Sequence, residues 1–167
     1  MKRRAGRKKK ATRRYFYLEQ ILPMRPYVQR LMGDLRAQRV RVDLLRRRLS
    51  GILPRAGAET YEHRRRRHEM LADIERTELA EKELYREFRS LGIRVGDVIR
   101  GEMLFPCLVD ERDAYFIWYD GQHRPSHWRF RGDASLHGIP DRWFANGALD
   151  SEAQSSHDKS LTDEEWV

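Results

Sequence analysis

At 167 residues, with 40% hydrophobic and 36% charged side chains, the chain has material for one modest core and not for two large domains. A formal net charge of +8 hides a steep gradient, because residues 1–67 carry 22 Lys/Arg against 5 Asp/Glu while residues 68–167 carry 12 against 21. The single cysteine, Cys107, excludes an intramolecular disulfide and any zinc site with three or four sulfur ligands, and a reducing cytoplasm is the expected location.

The gradient, +17 followed by −9, describes a basic region suited to phosphate beside an acidic one that limits indiscriminate binding or contacts the basic part internally. A secretory leader is not expected, since the segment 15–22 after the basic start is short and is broken by Pro23 and Pro26. No run approaches about eighteen uninterrupted apolar residues, so no membrane span is expected, although the basic start suits contact with an anionic lipid surface.

Residues 1–14 hold nine Lys/Arg, no acid and almost nothing apolar, a composition that repels itself and buries too little to offset the entropy of ordering; a disordered basic tail is expected. After Pro26, well placed in a first helical turn, Val28, Leu31, Leu35, Gln38, Val42, Leu45, Leu49 and Ile52 recur at spacings of three and four. This is a heptad seam with one polar break. Gly51, Pro54 and Gly57 mark a connection, and a second helix from near Glu59 to Leu91 carries Met70, Ile74, Thr77, Glu81, Leu84, Phe88 and Leu91 on its seam, with Gly92 as its stop. Two seams joined by a short loop bury their apolar faces most economically as an antiparallel hairpin.

From Ile93 the pattern turns to short β-type runs at 103–109, 114–119 and 126–130, separated by turns at Asp110-Glu111-Arg112-Asp113 and Asp120-Gly121. A small antiparallel meander is expected, with one face as core and with Phe105, Tyr115, Phe116, Trp118, Tyr119, Trp128 and Phe130 packing across strands and onto the base of the hairpin. From Ala145 six acids stand against Lys159, the composition of a disordered acidic tail. The predicted class is therefore α+β, a long antiparallel coiled-coil-like helical hairpin packed on a small antiparallel β meander with disordered termini. Its expected divisions are a basic tail at 1–14, the hairpin at 15–92, the β module at 93–144 and the acidic tail at 145–167.

The densest chemical signal is arginine. Arg46, Arg47, Arg48 and Arg55 on one arm and its loop, and Arg64, Arg65, Arg66 and Arg67 on the other, would share one electropositive tip if the hairpin forms. Four successive arginines spread around a helix, and the bland reading is a solvated face; the second run across the turn, with only Glu59 and Glu62 nearby, argues for an anion site. Planar guanidinium groups suit phosphate and base stacking, and a helical arm suits structured RNA. Lys8, Lys9, Lys10, Arg13 and Arg14 have the composition of a nucleic-acid arm that binds by counterion release, and Tyr15, Phe16 and Tyr17 follow as stacking surfaces or, for Phe16, as a helix anchor. A first helix of roughly 24 residues would set the tail's anchor on the order of 35 Å from the tip.

Catalytic and metal signals are weaker. His123, His127 and His137 with Cys107 lack compact ligand spacing, and Cys107 after Pro106 in a predicted strand reads as a small buried hydrophobe before a nucleophile. There is no glycine-rich phosphate loop, serine elbow or paired-carboxylate signature, so neither an enzyme nor a cofactor or metal is expected.

The order Tyr15-Phe16, Glu19, Ile21-Leu22-Pro23, a long hairpin, Gly101, Phe105-Pro106, Trp118, Gly121, Trp128 and Gly138 resembles the bacterial Domain of Unknown Function family twenty-two-zero-three over residues 15 to about 140. The resemblance implies a helical hairpin followed by a small β region. In that family's pattern Thr or Ser precedes the first-helix glutamates, Asp precedes the Phe-Pro pair, Cys precedes the first Trp and His follows the second. Tyr17, Leu104, Ile117 and Arg129 stand at those positions here. The resemblance implies that any polar site built from those groups is lost in this chain, leaving the scaffold of aromatics and turn glycines.

The function expected from these features is non-catalytic binding of a polyanion, RNA or a ribonucleoprotein such as the ribosome, through the basic tail and arginine tip. The alternative is a protein-interaction or oligomerisation module, a homodimer through the helical seam with Gln38, Thr77 and Glu81 setting register.

Overall fold

The computed structural model describes residues 14–52 and 60–145. Residues 14–17 run extended into a four-residue helix α1 (Leu18–Ile21), a 3₁₀ turn (Leu22–Met24) and the long helix α2 (Arg25–Gly51), which antiparallels α3 (Tyr61–Ser90). A five-stranded sheet follows, with β1 (Arg94–Val95), β2 (Glu102–Val109), β3 (Arg112–Tyr119), β4 (His127–Phe130) and β5 (His137–Gly138) in sequence order and every neighbouring pair antiparallel. A last helical turn, α4 (Arg142–Ala145), closes the described chain. The α+β class, a long helical hairpin on a small antiparallel sheet, is the one the sequence predicts. Of the expected tails at 1–14 and 145–167 only Arg14 and Ala145 are among the described residues, and Arg55 in the loop also lies outside them.

The seam is legible residue by residue. Val28, Leu31, Leu35 and Val42 are buried on α2, and Ile74, Thr77, Glu81 and Phe88 on α3. Glu81, 7% exposed, is held by an ion pair with Arg39 at 2.5 Å. Burial works against the charge on Arg39, and the contacts with Tyr85 and Glu81 outweigh it, so its pKa is held above the ordinary arginine value. Thr60 caps α3, its Oγ1 accepting from the His63 amide at 3.3 Å. At the other end Gly92, at φ +84°, completes the stop: the Gly92 amide donates to Arg89 O and the Ile93 amide to Phe88 O, the paired bonds of a left-handed helix ending.

The central strands depart from expectation in two respects. The predicted turn at 110–113 is only Asp110-Glu111, at φ +50° and +58°, and Arg112 and Asp113 belong to β3, opposite Val109 and Leu108. A two-residue turn with both φ positive matches the right-handed twist of its flanking strands, and a four-residue link would have shortened them. The second departure is burial on both faces. Met103, Phe105, Cys107, Ala114, Phe116, Trp118 and Trp128 join the helices in one core cluster, while Leu104, Tyr115 and Ile117 form a second cluster with Tyr119. Alternation along paired strands puts that second set on the sheet face opposite the first.

The leading segment locks hairpin to sheet. Phe16 is 2% exposed and meets Phe105 edge to face at 5.5 Å, and its amide donates to Pro106 O at 2.7 Å. This settles Phe16 as an anchor. Gln122 makes a polar clasp on the other side, its carbonyl accepting from both Trp118 Nε1 and Gln29 Nε2 at 3.1 Å. The short edge strands β1 and β5, and Trp143 of α4 packed at 6.0 Å from Trp128, have no counterpart in the sequence expectations; two-residue strands carry no periodicity to detect.

Candidate anion-binding surface

Arg46, Arg47 and Arg48 lie near the C-terminal end of α2, and Arg64, Arg65, Arg66 and Arg67 near the start of α3; all seven are exposed. Both runs occupy the end of the hairpin away from the sheet. They are not one cluster, however. Arg39 pairs with Glu81 and Arg46 with Glu78, a register that sets the first run beside the middle of α3. At about 1.5 Å per residue the two bands are offset by on the order of 10 Å along the hairpin.

The helix circumference divides the second run. Arg65 pairs with Glu69 at 2.9 Å and Arg66 with Glu62 at 3.4 Å, each one turn away on its own helix. Arg64, Arg67 and His68 line a shallow groove with Leu71, at successive spacings of three, one and three that put them on one face. Arg46 is engaged by Glu78 at 2.6 Å, whereas no carboxylate of the described residues pairs with Arg47, Arg48 or Arg64. Helix polarity separates the two bands further. Positive charge in the last turn of α2, at Arg48, complements the helix dipole, while Arg64 at the end of the first turn of α3 opposes it.

Arg14 is far from this end. Its guanidinium lies 4.9 Å from the Phe16 ring centroid and lines a cleft at the base of the hairpin. Lys8, Lys9, Lys10 and Arg13 lie outside the described residues. Among the described residues no group of three His, Cys, Asp or Glu is placed to hold a metal, and no helix is long and apolar enough to cross a membrane.

Cys107 and His127 do not meet. Cys107 points into the core shared with the helices, Tyr119 belongs to the opposite face, and His127 sits opposite Ile117 on that same outer face, its Nδ1 2.8 Å from Ser126 Oγ. The thiol is 1% exposed and burial pushes its pKa well up. Native protein is therefore expected to resist iodoacetamide at pH 8 for as long as it stays folded, with full labelling in denaturant. Rapid labelling of the folded chain would show the strand pairing around Cys107 to be open.

The outer face also gathers three of the four departures noted in the sequence. Leu104 stands opposite Ile117 across β2 and β3, and Arg129 stands opposite Tyr115 across β3 and β4. Leu104 and Ile117 are 8% and 0% exposed, so an apolar cluster occupies the place where the resemblance would put a carboxylate and a thiol.

These features define an α+β protein whose helical hairpin carries a basic end and whose sheet closes its base. Residues 14–132 match the model of the family described as Uncharacterized conserved protein (DUF2203), and the chain belongs to that family. The match takes in α1 to β4 and ends before β5 and α4. No curated protein and no solved structure matches the chain.

Proposed function

We propose that the protein is a non-catalytic polyanion-binding protein of the cytoplasm that engages RNA or a ribonucleoprotein through the arginine end of its hairpin and its basic tail. The observation that carries this reading is the exposure of seven arginines on the hairpin end remote from the sheet, where Arg47, Arg48 and Arg64 have no carboxylate partner among the described residues. Arg64 opposes the dipole of its own helix, an unfavourable placement that an approaching phosphate would offset. A helix of 27 residues holds these groups on the order of 40 Å from the sheet, a reach suited to an arm inserted into a large anionic particle.

Oligomerisation has less to draw on, because Leu35, Val42, Ile74 and Thr77 are already buried within the hairpin. The test is co-sedimentation of the full chain with ribosomes and total RNA across a salt series, beside a variant lacking residues 1–14 and the quadruple variant R47Q/R48Q/R64Q/R67Q. Salt-sensitive association is expected, retained in part without the tail. The quadruple variant is expected to bind more weakly and to lose about 0.7 to 0.9 from the log–log salt slope for each phosphate contact removed. An unchanged slope removes the arginine bands from the interface, and a stable dimer by light scattering that ignores RNA replaces this reading with the oligomerisation one.

A further inference from the structure

At the base of the hairpin, where the leading segment crosses the end of α3, a cleft of about 310 Å³ is ringed by four arginines, Arg14, Arg89, Arg94 and Arg131. They come from four places in the chain: the leading segment, the last turn of α3, β1 and the residue after β4. Asp113 is the one carboxylate among the lining residues. It is already engaged, accepting a hydrogen bond from the Tyr15 hydroxyl at 2.7 Å and pairing with Arg131 at 3.4 Å. Among the described lining residues, four cations therefore stand against one carboxylate.

The way the other arginines are held matters as much as their number. Arg14 lies over Phe16, and Arg94 lies over Tyr115 with its guanidinium carbon 5.7 Å from the ring centroid. A cation–π contact engages no carboxylate, so both guanidinium groups keep N–H donors for an anion. Neither is tied to a carboxylate among the described residues, unlike Arg46, Arg65 and Arg66 at the far end. The end of α3 presents less negative potential here than a bare helix C-terminus would, because the Gly92 and Ile93 amides satisfy the Arg89 and Phe88 carbonyls.

We propose that this cleft is a binding site for a small phosphate monoester. The phosphate sits among Arg14, Arg89 and Arg94, whose planar forks match its oxygens, and the organic group lies against the wall made by Tyr15, Pro106 and Ala114. Its volume is at the small end of small-molecule sites, which favours a compact ester over a polymer backbone. The site is independent of the hairpin end, on the order of 40 Å away along α2.

Isothermal titration of the full chain at low salt with AMP and with inorganic phosphate tests the proposal. Saturable one-to-one binding of AMP, tighter than that of phosphate, is expected, with Arg89→Gln and Arg94→Gln each weakening AMP about tenfold through loss of charge-assisted hydrogen bonds. The double variant R41Q/R76Q, which removes two exposed arginines outside both surfaces, is expected to bind AMP as the unaltered chain does. Should Arg94→Gln lower the melting temperature by releasing Tyr115, Arg89→Gln decides, since Arg89 has no ion pair or stacked ring among the described residues. Equal AMP affinity in Arg89→Gln and the unaltered chain overturns the site, as does equal loss in R41Q/R76Q, which would make the binding a matter of net charge. An RNA oligomer that binds through Arg89 and Arg94 and is not displaced by AMP also overturns it in favour of a polynucleotide track.

Discussion

Phe105→Ala is expected to destabilise the protein by about 3–5 kcal/mol, the range for removing a fully buried aromatic ring. Phe105 is 0% exposed and stands where three parts of the molecule join. It meets Phe16 edge to face, sits 6.0 Å from Trp118 and pairs in register with Phe116 across β2 and β3. The cavity left behind would be lined by strand and helix residues that cannot collapse without breaking the Phe16 amide bond to Pro106 O. Ordinary domains are stable by only about 5–15 kcal/mol, so a loss of this size removes a large share of the whole. Urea denaturation followed by circular dichroism is expected to show a lower midpoint at unchanged slope, and Tyr17→Ala, at a half-exposed ring, is expected to stay within about 0.5 kcal/mol. A Phe105→Ala loss below about 1 kcal/mol would mean that the leading segment does not pack on the sheet as described.

Gly101→Ala is the second large effect, expected to cost about 2–4 kcal/mol from backbone strain and overlap together. Gly101 holds φ at +67°, and a Cβ there would come within 2.5 Å of Asp120 Cβ and 2.4 Å of an Arg36 terminal nitrogen. The arginine can swing aside; Asp120 cannot, because its amide donates to Gly101 O at 2.9 Å and fixes the two backbones together. Relief therefore disturbs the Arg36–Asp120 ion pair at 3.0 Å, which ties α2 to the sheet. Gly33 is the natural comparison. It lies within α2 with nothing within 4 Å of its would-be Cβ, so Gly33→Ala is expected to stabilise by roughly 0.5–1 kcal/mol. If the two alanine variants melted alike, the close approach at Gly101 would be wrong.

Both effects fall at residues whose local signal was plain in the sequence but whose partners were not. The heptad seams follow from spacings of three and four, and the Gly92 stop and the three main strands from glycine and from apolar and aromatic runs between turn signals, all of which depend only on neighbours along the chain. The arginine runs were equally visible as a string of charges. Their offset along the hairpin was not, because it depends on a register set by Arg39–Glu81 and Arg46–Glu78. The extra core layer of Leu104, Tyr115 and Ile117 carries no sequence signal of its own, because a run buried on both faces has no alternation to reveal a second face.

The sequence by itself determined the two long helices, the three main strands, their order, the charge gradient and the absence of an intramolecular disulfide, since each rests on composition or on contacts within a few residues. Only the tertiary structure decided that Cys107 and His127 lie on opposite faces of the sheet, that the leading segment closes the edge of β2, and that Arg14, Arg89, Arg94 and Arg131 surround one cleft. Those four arginines span nearly the whole family match, and no local pattern relates them. Their meeting is fixed by burial of Phe16 against Phe105 and by strand pairing, long-range contacts whose register the hydrophobic core selects.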